Sequence, residues 1–117
     1  MSSDYDPQLL KGVLSLLLLH VLGERESYGY EVVQRVHGLG ITDISAGTVY
    51  PALSRLEREQ WLASRLVPSS GGPARKYYRL TPAGYAALEL GVTQWQSLAA
   101  LVTRQLSRPV LRPAKGT

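Results

Sequence analysis

The 117-residue chain contains no cysteine. Disulfides, thiolate metal sites and cysteine nucleophiles are excluded at once, and the absence fits a reducing cytoplasm. Histidine occurs only twice, and neither His20 nor His37 has a second ligand at metal-binding spacing. His20, inside an apolar run, reads as a core or dimer-interface residue. Nucleophile elbows and paired carboxylates are missing too, and Gly71–Gly72 lacks the strand–glycine–helix context of a phosphate loop. No catalytic residue, metal or cofactor is therefore expected, and the chain does not read as an enzyme. No apolar run reaches membrane-spanning length either. The longest, "VLSLLLLHVL" at 13–22, falls short of the roughly 20 residues a bilayer requires. It is preceded by Asp4 and Asp6 with only Lys11 positive, and no small-residue cleavage site follows, so it reads as an enclosed helix rather than a signal peptide.

What is present is enough for one ordinary domain: 44% of residues are hydrophobic, and a chain of this length buries a modest share of its surface, so a partner subunit would help. Charge is unevenly spread. Residues 1–47 carry three basic and six acidic side chains, residues 48–80 six and two, and residues 81–117 four and one. A basic middle behind an acidic front suggests a polyanion partner at one surface.

Along the chain, residues 9–22 predict a helix that is apolar nearly all round and stops at Gly23. Ser27 has the character of an N-cap for a second helix over 27–38, with Val32, Val33 and Val36 on one face and Gly38 and Gly40 behind it. "ITDIS" reads as a tight connector with room for a short strand. In "TVYPALSRLEREQWL" (48–62), Val49, Leu53 and Leu56 have the spacing of a buried helix face. Pro51 is harmless only in a first helical turn, so this helix should begin near Ala46–Thr48, capped by Ser45 or Thr48, and run to about 60. Thr48, Tyr50, Pro51, Ser54, Arg55 and Arg58 then point outward, a face suited to phosphates and base edges. "WLASRLV" and "KYYRLT" have strand character and flank the turn-rich "PSSGGPAR", giving a hairpin over 62–80 that carries Arg75, Lys76 and Tyr77. Tyr77 and Tyr78 must face opposite ways. Tyr28 reads as a buttress of the third helix, Tyr30 is open, and Trp61 reads as packing.

Thr81–Pro82 is a strong helix start. Tyr85, Leu88, Val92, Trp95, Ala99, Val102 and Leu106 follow at alternating steps of three and four, a heptad seam. At about 1.5 Å per residue such a helix is roughly 38 Å long. Its only charges are Glu89 and Arg104, so it should pack on a partner, most simply its own copy. The whole is a mainly α (α+β) chain. It has an N-terminal tail (1–8), a winged helix-turn-helix (9–81), a long C-terminal dimerisation helix (82–106) and a basic, Pro-rich tail (107–117).

Four segments, "LLKGVLSLLLLHVL", "YGYEV", "GTVYPALSRLEREQWL" and "RKYYRLTPAG", make the chain resemble PadR-type transcriptional regulators of the compact kind, with a single C-terminal helix. The resemblance implies a homodimeric, cytoplasmic, bacterial protein that binds double-stranded operator DNA, usually a repressor relieved by a small molecule. At Gln60 the family often has glycine; here Gln60 holds a left-handed conformation or the helix ends differently. In the multidrug-sensing branch of the family, a tryptophan from each subunit sandwiches flat aromatic ligands, and Trp95 matches that position. The acidic residue this branch carries one turn later is Ala99 here, which removes the reason to favour cationic ligands. A small aromatic effector would then lie beside Trp95, Val92 and Ala99, with Gly12, Ser15, Leu16 and Leu19 of the first helix opposite. The alternative is a dimeric winged-helix module that binds protein without DNA specificity; the basic outward face favours DNA.

Overall fold

Asp6 accepts a hydrogen bond from the Gln8 amide and caps a short helix, α1 (Pro7–Lys11), near the start of the computed structural model, which describes residues 5–113. The expected tails thus lie partly outside the described residues. After α1 the chain bends at Gly12 and Val13 into α2 (Leu14–Glu24). The single helix expected over 9–22 is therefore two, broken where glycine, a poor helix former, meets Val13 at the helix boundary. Gly23 does not stop α2. A β-carbon there would stand 3.2 Å from Leu88 Cδ2 and 3.3 Å from Leu80 Cδ1, so Gly23 serves close packing instead.

Ser27 is not a helix cap. It lies in a two-residue strand, β1 (Ser27–Tyr28), fully buried, where its Oγ accepts a 2.9 Å hydrogen bond from Arg35 Nη1. Arg35 also pairs with Glu24 at 3.0 Å, tying the end of α2 to α3 (Gly29–Gly38). The connector "ITDIS" contains no strand: Gly40 turns it at φ 104°, Ile41 and Ile44 plug into the core, and His37 donates to the Ile44 carbonyl.

The helix α4 (Ala46–Arg58) buries Val49, Ala52, Leu53 and Leu56. Because it begins at Ala46, Pro51 sits in its second turn and not its first. The missing N–H deprives the Gly47 carbonyl of its partner, and Gly47 is exposed, so water can take the place. The helix ends in a Schellman turn: Gln60 adopts φ 66°, its N–H bonds Glu57 and that of Trp61 bonds Leu56. The chain then forms a hairpin of β2 (Leu62–Ser69) and β3 (Gly72–Leu80), and β1 pairs on the other side of β3, so the antiparallel order is β1-β3-β2. Tyr78 and Leu80 enter the core shared by α2, α3 and α4.

Thr81 caps α5 (Pro82–Leu106), accepting from Gly84 N–H at 3.0 Å and donating to the Gln60 carbonyl at 2.7 Å. The first half of α5 packs on α2 through Ala87 and Leu88, whereas its second half extends past the body. Leu88 is thus committed to its own core and is not free for the heptad seam expected to meet a partner. Among the described residues no helix is long and apolar enough to cross a membrane.

Candidate nucleic-acid interface

The buried stripe of α4 leaves Thr48, Tyr50, Pro51, Ser54, Arg55 and Arg58 exposed on its opposite side. Two clefts flank this face. One, of about 580 Å³, separates α4 from the wing and the start of α3; Tyr28, Tyr30, Tyr50, Ser54, Arg75 and Lys76 line it. The other, of about 310 Å³, lies between α4 and the α1–α2 bend, with Lys11, Ser15, Thr48, Pro51, Arg55 and Arg58 on its walls. Among the described residues no carboxylate lines either cleft. Guanidinium, ammonium and hydroxyl donors on a helix flanked by two basic clefts can bond phosphates on both sides and base edges between them.

The wing face is organised by aromatic contacts. The Arg75 guanidinium lies 4.4 Å from the centre of the Tyr28 ring, and Tyr28 meets Tyr77 edge-on, centroids 5.4 Å apart. Arg65 lies 5.9 Å over Tyr77 and forms a two-point bond to Glu26, at 2.9 and 2.6 Å. Those bonds hold the Glu26 carboxyl below the usual carboxylate range. Tyr77, expected at the DNA, is instead half-buried and off the cleft wall, its ring edge-on to Tyr28, while Tyr78, mostly buried in the core, is the tyrosine of the pair that lines the cleft. Tyr77 supports Tyr28, which supports Arg75.

Lys76 lines the cleft, yet its ammonium is 3.0 Å from Glu57 on α4. The Ser64 hydroxyl bonds the same carboxylate and is the first cause of its lowered pKa, followed by Lys76; the bond to Glu57 in turn raises the Lys76 pKa. Lys76 is therefore a brace between wing and helix before it is a phosphate ligand. Arg58 has no ion-pair partner among the described residues, and Arg55 bonds the Ser15 hydroxyl. Sequence reasoning missed Lys11 and Gly29. Lys11 reaches the cleft only because the chain bends at Gly12. Gly29 admits the Tyr50 ring, whose Cε1 would be 2.9 Å from a β-carbon there.

On the far side of α2, a cleft of about 370 Å³ separates it from α5. Gly12, Ser15, Leu16 and Leu19 line one wall and Leu90, Gly91, Gln94, Trp95 and Leu98 much of the other, with Trp61 at one end. Val92 and Ala99, expected on this wall, are not on it, because the helix turns them to the side. Among the described residues no charged side chain lines it. His20 is an exposed residue of α2, not a core one, and shares a neighbouring apolar groove with Leu17 and Trp95. Among the described residues no cluster of histidine, aspartate or glutamate could hold a metal.

Comparison with known proteins agrees with this geometry. A Mycobacterium tuberculosis transcriptional regulator is 40% identical over 80 residues, spanning 67% of this chain and 71% of the relative. A Bacillus cereus PadR-like transcriptional regulator superposes with a TM-score of 0.77 at 36% identity, covering 87% of this chain and 99% of that one. An Eggerthella lenta PadR family regulator gives 0.79 at 37%, covering 87% and 88%. These relatives are regulators of transcription, not enzymes. The model of the PadR-like transcriptional regulator family matches residues 18–90, from the middle of α2 through α4 and the wing into α5, and this DNA-binding, winged-helix chain belongs to that family.

Proposed function

We propose that two copies of this chain associate through the second half of α5 into a two-headed repressor, and that a flat aromatic ligand in the α2–α5 cleft beside Trp95 relieves repression. The observation that carries this reading is the apolar surface left on α5: Trp95 is 47% exposed, Leu98 56%, Leu101 55% and Leu106 78%. A helix bearing such side chains well beyond its own body is stable when a second copy covers them. The two α4 helices would then enter successive major grooves about 34 Å apart. Tyr50, Ser54 and Arg55 would read base edges or adjacent phosphates, with Thr48 and Pro51 at the helix start and Arg58 and Arg75 on phosphate. The uncharged cleft wall suits neutral or weakly anionic aromatics, each stack on an indole adding about 0.5–1.5 kcal/mol beyond burial.

The test is Val102→Asp, which places a charge on the free half of α5, where the lone chain has nothing to lose. The variant should sediment as a monomer and bind operator duplex far more weakly than the wild-type dimer. In Trp61→Phe, where Trp95 is the only tryptophan, planar aromatics should quench fluorescence saturably and lower operator affinity. A wild-type protein that stays monomeric at micromolar concentration ends the dimer reading. Absence of quenching by any aromatic ends the ligand reading.

A further inference from the structure

Ser15 is the one described residue on the walls of both the α2–α5 cleft and the basic cleft beside α4. Its hydroxyl accepts a hydrogen bond from Arg55 Nη2, on the exposed face of the reading helix. A single side chain thus touches the cavity beside Trp95 on one side and a DNA-facing arginine on the other. A hydroxyl has one donor and two acceptor sites, so it is not the bond itself but a turn of Ser15 about χ1 to another staggered position, toward the α2–α5 cleft, that carries the oxygen away from Arg55.

We infer that Ser15 is the switch linking the two clefts: turned to Arg55 it holds the guanidinium in its reading position, and a ligand that captures the Ser15 hydroxyl in the α2–α5 cleft withdraws that hold and weakens DNA binding. The inference rests on the reading of the α2–α5 cleft as an effector site and adds a mechanism and a ligand class. Apart from the two indole N–H groups, Ser15 and Gln94 are the polar side chains on that wall. The effector is then a flat aromatic molecule with a hydrogen-bonding edge group, a hydroxyl, carbonyl or amide, rather than a plain hydrocarbon. A ligand shifts an equilibrium only by its differential affinity for the two states, and the Ser15 rotamer supplies those states. Linkage makes the effect reciprocal: DNA that fixes Arg55 should weaken ligand binding by the same factor.

The absence of cysteine makes a test possible without the natural ligand. In L16C the introduced thiol lies on the cleft wall and can be alkylated with monobromobimane, whose ring carbonyls present hydrogen-bond acceptors beside Ser15. Operator affinity is measured before and after labelling in L16C, L16C/S15A and L16C/S15T, with sedimentation run on each. Labelling should weaken DNA binding about tenfold in L16C and L16C/S15T, and less than twofold in L16C/S15A. An equal loss with and without the hydroxyl, or no loss in any background, overturns the relay. Because the label is covalent, failure of free aromatics to quench Trp95 bears on the effector reading alone.

Discussion

Glu57 on α4 and Lys76 on β3 face each other at 3.0 Å, so α4 and the wing are joined by an ion pair as well as by the chain between them. The Ser64 hydroxyl, from β2, bonds the same carboxylate. Three elements converge on one side chain, which braces the wing against α4.

Replacing Glu57 by Gln should therefore have two separable effects. The folded-state pKa of Glu57 lies below its ordinary value, chiefly through Ser64 and then Lys76. Its stabilisation is present above the unfolded carboxylate value of about 4.3 and is lost as pH falls through the lower folded value. The wild type should thus exceed Glu57→Gln in stability by no more than about 1 kcal/mol at neutral pH, since both partners are partly exposed, and the gap should close in acid. Urea titrations at several pH values check this. The second effect has the opposite sign: Lys76 is released into the cleft it lines. Non-specific duplex affinity should rise, and its logarithmic salt slope should steepen by about one.

Gly29→Ala tests how Tyr50 is aimed. The added methyl would stand 2.9 Å from Tyr50 Cε1, so the ring, 42% exposed, must swing away from the end of α3. A swinging side chain costs the fold little, and alanine at a helix start gains up to about 1 kcal/mol over glycine. Stability should hold or rise while operator affinity drops several-fold. Equal loss of both would mean that the backbone moved instead of the ring.

The amphipathic stripe of α4, the hairpin and the cap at Thr81 were legible because each has a local cause: apolar spacing, a Gly-rich turn, a Thr–Pro pair. Features set by distant contact were not. Ser27 has the local chemistry of a helix cap, but pairing with Tyr78 of β3 makes it a strand residue, and Arg35, eight residues on, bonds its hydroxyl in the interior. Gly23 resembles a stop signal until Leu80 and Leu88 arrive on it. Lys76 reads as a free cation until α4 presents Glu57. The outward face of α4 was visible in the sequence; its two clefts depend on the α1–α2 bend and the wing's position, which only tertiary packing fixes.

Gln60→Gly probes the Schellman turn between helix and wing. Gln60 holds φ 66°, where an L-residue pays roughly 1–2 kcal/mol that glycine avoids. Part of that gain is offset by the greater freedom of glycine in the unfolded chain. The net expectation is a stabilisation of about 0.5–1 kcal/mol, read as a higher denaturation midpoint with an unchanged urea slope. A lower midpoint would show that Gln60 contributes packing the turn depends on.

Gly84→Ala should do the reverse, and for a rigid reason. Gly84 is the only buried residue of α5, and a β-carbon there would stand 2.1 Å from the Trp61 carbonyl oxygen and 3.0 Å from its carbon. Unlike the Tyr50 ring, these are backbone atoms. The Trp61 carbonyl already accepts the Thr81 N–H at 3.1 Å, so it cannot rotate aside without breaking that bond. The first turn of α5 must lift from the helix-to-wing turn, and overpacking of this kind costs about 1–3 kcal/mol or more. Lifting α5 also widens the α2–α5 cleft that Trp61 and Trp95 both line. Gly84→Ala should therefore lower the urea midpoint and red-shift tryptophan emission in the folded protein, whereas Ala83→Gly, one exposed residue away, should leave the emission unchanged.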